Sequence, residues 1–163
     1  MSLPEIYTIG VYGLAETDFF QKLLDNNIDT FCDIRRRRAV RGSQYAFVNS
    51  KRLQAKLEEL SIKYVYEIGL APTNEIRELQ KKSDEINKIQ KRQRDELGYV
   101  FKTAYTDKIL SQFDIEQFLK SLENSGTKKV VLFCVEKSPL ACHRSLVTNK
   151  IKELHPEVNI LNL

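Results

Sequence analysis

The run Lys129-Val130-Val131-Leu132-Phe133-Cys134-Val135 is apolar without interruption after its first residue. A strand with one face in water alternates apolar and polar side chains. A strand covered on both faces does not need to. This run therefore predicts a central strand of a parallel sheet with helices on both sides. Shorter strand signals stand at Ile6–Ile9, Thr30–Ile34, Lys63–Tyr66 and Val158–Leu161. Between them the apolar spacing is helical. Phe20, Leu23, Leu24 and Ile28 share one face, and Leu53, Leu57 and Leu60 share another. Strand–helix alternation gives an α/β fold: a mostly parallel sheet of about four to five strands, joined by right-handed crossovers.

At 163 residues, with 42% hydrophobic and 29% charged, the chain suits one domain over residues 1–163. A long charged helix is expected from Glu75 to about Leu97, with Asn74 as its cap. Its thin apolar stripe of Ile76, Leu79, Ile86, Ile89 and Leu97 fits a surface helix, or an arm or lid over about residues 75–98. A further helical region is expected from Asp107 to Glu123, with a fresh start at Asp114. No apolar run approaches the ~20 residues of a membrane span, and the N-terminus lacks the pattern of a secretory signal. These points predict a cytoplasmic protein with no membrane partner. Three cysteines without framework spacing argue against a disulfide scaffold.

Net charge is +4, but the charge is uneven. No acidic residue lies between Asp33 and Glu58, while Arg35, Arg36, Arg37, Arg38, Arg41, Lys51, Arg52 and Lys56 do. Such an excess points to an anionic partner, either a nucleotide or a nucleic acid. Tyr45 and Phe47 interleave with these charges and could stack bases.

In open α/β sheets ligands bind outside the carboxyl ends of the strands. The candidates delivered there are Gly10, Val11 and Tyr12; Asp33 and Arg35; Glu67 and Gly69; and Cys134 and Glu136 with the Cys142-His143-Arg144 cluster. Ser138 and Pro139 predict a helix start that would place this cluster in the first turns. A helix N-terminus attracts anions and lowers a thiol pKa, so Cys142 is a candidate nucleophile and Arg144 a bidentate anion donor. Asp33 or Glu136 would act as general base or would position His143. The plainer reading packs Cys134 and Cys142 in the core and pairs Asp33 with Arg35 or Arg144. The cysteine–histidine spacing matches no zinc signature, so no metal is expected. The sequence names no cofactor.

Tyr7-Thr8-Ile9-Gly10, Asp33-Ile34-Arg35 and Cys134-Val135-Glu136 followed by Pro139 and Cys142-His143-Arg144 resemble, in order along the whole chain, the domain of unknown function 488 family. The resemblance implies an α/β fold and a shared site made of Gly10, Asp33, Arg35, Glu136, Cys142, His143 and Arg144. It implies no activity. Val11-Tyr12 stands where the family pattern has His-Ser. The arginine run replaces a Pro and Ser after the Asp-x-Arg, and Gly69-Leu70-Ala71-Pro72-Thr73 replaces a glycine pair. Two functional readings follow: a phosphate-ligand site, with or without chemistry, and a non-catalytic nucleic-acid-binding or protein-interaction module.

Overall fold

The computed structural model of the chain describes residues 2–86 and 97–163. Five strands form one all-parallel sheet: β1 (Glu5–Ile9), β2 (Thr30–Asp33), β3 (Lys63–Tyr66), β4 (Lys129–Phe133) and β5 (Ile160–Asn162), in the order β3-β2-β4-β1-β5. The helices are α1 (Glu16–Asp25), α2 (Ser50–Glu59), α3 (Asn74–Ile86), α4 (Tyr99–Tyr105), α5 (Ile115–Asn124) and α6 (His143–Leu154). A turn of π-helix, Thr106–Leu110, continues α4.

The continuous apolar run is the middle strand. β4 pairs with β1 through Lys129–Phe133 and with β2 through Val130–Phe133. Its side chains alternate between the two faces, as the strand period of two requires. Val131 and Phe133 pack with Phe19, Phe20 and Leu23 of α1 and with Leu53 and Leu57 of α2. Val130 and Leu132 pack with Phe101, Tyr105, Phe118, Leu122, Val147 and Ile151 of α4, α5 and α6. The chain moves one way across the sheet through α1 and α2, then returns through α3 to α6 on the other face. Neighbouring strands β1 and β4 therefore send their connections to opposite faces, which opens a crevice at their carboxyl ends.

Several local expectations are corrected. Leu24 is exposed, and Phe19 takes its place in the buried face of α1. The cap of α3 is Thr73, whose Oγ1 accepts from Ile76 N at 3.3 Å. The described part of the long charged helix ends at Ile86 and packs on α4 rather than projecting. Its stripe is completed by two buried polar residues: Gln80 donates to Asp84 at 2.7 Å and accepts from Gly98 N at 3.0 Å. The expected continuation through Ile89 lies outside the described residues. The region expected from Asp107 to Glu123 begins earlier, at Tyr99, and breaks before Asp114. Asp114 does start a fresh helix, accepting from Gln117 N at 2.9 Å. Ser138 and Pro139 form only a short 3-10 turn, and α6 starts at His143 with Cys142 at its N-cap.

Candidate functional site at the carboxyl ends of the strands

The crevice contains a cavity of about 550 Å³. Tyr12 reaches it from the end of β1, Arg35 from the end of β2, and Cys134, Val135 and Glu136 from the end of β4. The loop after β2 adds Arg36, Arg37, Val40 and Arg41, α3 adds Arg77, Glu78 and Lys81, and Leu97, Phe101, Cys142 and His143 complete the wall. Glu67 and Gly69, expected at this edge, stand elsewhere. Glu67 accepts from Gly69 N and faces a separate cleft beside Phe113.

Asp33 and Arg35 form a buried ion pair. Arg35 donates from Nε to Asp33 Oδ1 at 2.9 Å and from Nη2 to Oδ2 at 2.8 Å. The same nitrogen reaches Val48 O at 2.9 Å, and Tyr64 donates to Asp33 Oδ2 at 2.8 Å. The guanidinium lies 4.7 Å from the centre of the Phe133 ring. Arg35 Nη1 is buried without a hydrogen-bond partner among the described residues. Burial, with Asp33 pushing the same way and Arg38 pulling against both, raises the Tyr64 phenol to about 12. Of the two readings of Asp33, the geometry is that of an ion pair that sets Arg35.

Arg144 is fully buried. Its Nη1 donates to Cys134 O at 3.2 Å and Glu136 O at 2.7 Å, and its Nη2 to Lys137 O at 3.2 Å. Burial lowers its pKa to about 10 against the opposing charge of Glu136. These donors tie down the loop after β4, so the guanidinium nitrogens expected to hold an anion are engaged with main-chain carbonyls. Gly10 explains the tight fit. A Cβ there would sit 1.8 Å from Glu136 O and 2.9 Å from Arg144 Nη1.

Cys134 and Cys142 are joined by a disulfide, with Cα atoms 6.8 Å apart. This corrects the expectation from cysteine spacing. The loop from β4 to α6 folds back on itself, so that residues eight apart meet. It also replaces the free thiol expected of Cys142. The remaining cysteine, Cys32, is buried, and burial, Glu67 and Asp33 all push its thiol well up. His143 is buried at the first position of α6, its Nε2 2.7 Å from Ile34 O. A carbonyl can only accept, so Nε2 carries the proton. Nδ1 lies 3.6 Å from Cys142 Sγ and is the acceptor nitrogen whenever the ring is neutral.

The arginine run divides. Arg37 and Arg41 are exposed at the cavity, and Arg36 is anchored by donating to Pro72 O at 3.0 Å. Arg38 turns away and lies over the Tyr66 ring at 4.1 Å. Lys51 and Arg52 are exposed on α2, where Arg52 pairs with Glu16 at 2.9 Å. Tyr45 and Phe47 are core residues. Tyr45 packs against Tyr12 and accepts from Gly13 N at 2.9 Å, so the stacking surface expected of these rings is occupied. Asn49 makes no cap bond to α2; its Oδ1 accepts from Val40 N at 2.8 Å and fastens the arginine loop.

Arg77 is the residue that sequence reasoning missed. It is half-buried in the cavity wall, where burial and the charges of Arg37 and Arg36 lower its pKa against the pull of Glu78. The available signal was its place with Lys81, one helical turn apart at the start of a helix that follows a strand end.

Together the fold and site define an α/β protein with a highly charged crevice at the topological switch of a parallel sheet, where Glu78, Asp84, Glu85 and Glu136 line the same wall as the arginines and Lys81. The family model described as Domain of unknown function DUF488 matches residues 17–151, and the chain belongs to that family. No curated protein and no solved structure matches it. Among the described residues no helix is long and apolar enough to cross a membrane.

Proposed function

We propose that the crevice binds a small phosphate-bearing ligand of nucleotide size. The observation that carries this reading is the convergence of Arg36, Arg37 and Arg77 at one cavity, close enough for their like charges to oppose one another. Like charges held together around a concavity are relieved by an anion. A guanidinium is well shaped for phosphate because its donors fork in a plane. The volume falls within the usual range for small-molecule sites. Tyr12, Val40, Leu97 and Phe101 supply an apolar side for a base or other organic group. The carboxylate of Glu136 and the imidazole of His143 stand in the same wall. They are the groups in a position to move a proton once a ligand is seated.

Thermal unfolding with added inorganic pyrophosphate or mononucleotides tests the reading. A ligand at a hundredfold excess over its dissociation constant stabilises the native state by about 2.7 kcal/mol. A rise in Tm that disappears in Arg77→Ala supports the site. An unchanged Tm at every ligand concentration rejects it.

A further inference from the structure

We infer that Cys134, Cys142 and His143, once the disulfide is reduced, form a binding site for a thiophilic divalent metal ion such as zinc. The proposal does not rest on the phosphate reading and uses none of the arginines, although it shares His143 and the cavity with it. One ligand atom from each residue lies within 4.8 Å of the other two, and all three side chains are buried. In a tetrahedral zinc site, sulfur ligands at about 2.3 Å and nitrogen at about 2.0 Å stand roughly 3.5–3.8 Å from one another. Cys142 Sγ and His143 Nδ1 already have that spacing, at 3.6 Å. The Cα atoms of the two cysteines are 6.8 Å apart, which leaves the sulfurs room to separate as thiolates without a backbone shift.

The imidazole is arranged as metal-bound imidazoles are. Its far nitrogen donates to the Ile34 carbonyl at 2.7 Å. That bond fixes the tautomer, turns the Nδ1 lone pair toward the sulfurs and raises its basicity. The three residues also line the cavity, so a fourth ligand can come from water or solute there. Three protein ligands with one position open is the arrangement of a reactive rather than a purely structural zinc site.

The chemistry balances with a dithiol as reductant. The dithiol gives two electrons and two protons to the Cys134–Cys142 bond. The bond breaks to two thiols, and the reductant closes to its own disulfide. Metal binding then displaces the two thiol protons, while neutral His143 gives only its lone pair. Disulfide formation and metal binding exclude each other, because both use the same two sulfurs.

The test uses the whole chain, reduced with a phosphine and freed of it, beside the same protein left oxidised. Both are titrated with Co²⁺ as a spectroscopic stand-in for zinc. The expected result is uptake of one Co²⁺ per chain in the reduced protein only, with a thiolate-to-cobalt charge-transfer band that Zn²⁺ abolishes. His143→Ala should weaken that uptake by at least the roughly tenfold that loss of an outer-shell partner costs. The oxidised–reduced comparison needs no variant, so it stands even if a substitution disturbs folding. Absence of the charge-transfer band in reduced protein, or equal uptake by oxidised protein, overturns the proposal.

Discussion

At the scale of single residues the site is held by buried charge. Asp33 and Arg35 sit at the end of β2 with almost no exposure. Removing one member of such a pair strands the other, at a cost of about 3–5 kcal/mol. Asp33→Ala should therefore lower the free energy of unfolding in urea by about that amount. Tyr64→Phe, which deletes one bond to the same carboxylate, should cost about 1 kcal/mol. If both variants unfold at the wild-type midpoint, the pair is not what sets this corner. Gly10→Ala is argued from space alone. The new Cβ would meet the main-chain oxygen of Glu136, which no side-chain rotation can move, so relief needs a shift of β1 or of the loop after β4. A loss of about 2–4 kcal/mol is expected in the same assay.

The elements show what could be read from the chain and what could not. Strand β4 was legible because burial on both faces leaves no place for polar residues. Asp114 was legible because an aspartate before a helical face is a cap. Helix α3 was only half legible. Gln80 and Asp84 look solvated in a sequence, yet they are buried because Gln80 donates to Asp84 and accepts from the backbone at Gly98. Asn49 precedes α2 but ties down the arginine loop through Val40 instead of capping the helix, a long-range choice that local pattern does not contain. The disulfide was hidden for the same reason, since it depends on how the loop between β4 and α6 folds back. One contact between elements makes stability depend on pH. His155, just after α6, lies 2.7 Å from Glu116 of α5 and 3.4 Å from Glu157. Partial burial pushes its pKa down, but these carboxylates outweigh it and raise the value above that of a free histidine. The native state therefore binds the proton more tightly than the unfolded chain does. The added stability is complete below the unfolded pKa and is lost as pH rises through the native one. Exposure limits it to at most about 1 kcal/mol. Urea midpoints should fall between pH 6 and pH 8 in the wild type, and Glu116→Gln should flatten that slope.

For the whole molecule, topology explains more than any motif does. The all-parallel sheet, with connections leaving β1 and β4 on opposite faces, places Tyr12, Arg35 and Glu136 around one crevice although they are far apart in sequence. The Asp-Ile-Arg and Cys-His-Arg motifs were legible as lying at the carboxyl edge of the sheet, but their contacts were not. Arg144 and Gly10 shape the loop after β4, Asp33 sets Arg35, and the arginines at the cavity mouth come from the β2 loop and α3. Arg77 was only faintly legible: its place one turn from Lys81 after a strand end was a hint, but nothing local marks a surface arginine as facing a cavity. The central claim, that this crevice binds a phosphate-bearing ligand, is most directly tested by calorimetric titration of mononucleotides and pyrophosphate at low and moderate salt. Wild type, Arg37→Ala and Arg77→Ala would be compared, with an oligonucleotide alongside. The account predicts saturable one-to-one binding of the small ligand, weakened about tenfold by each substitution, as expected for loss of a charge-assisted hydrogen bond. No saturable binding of any small phosphate compound, or binding to the oligonucleotide alone that falls steeply with salt and ignores both substitutions, would contradict it.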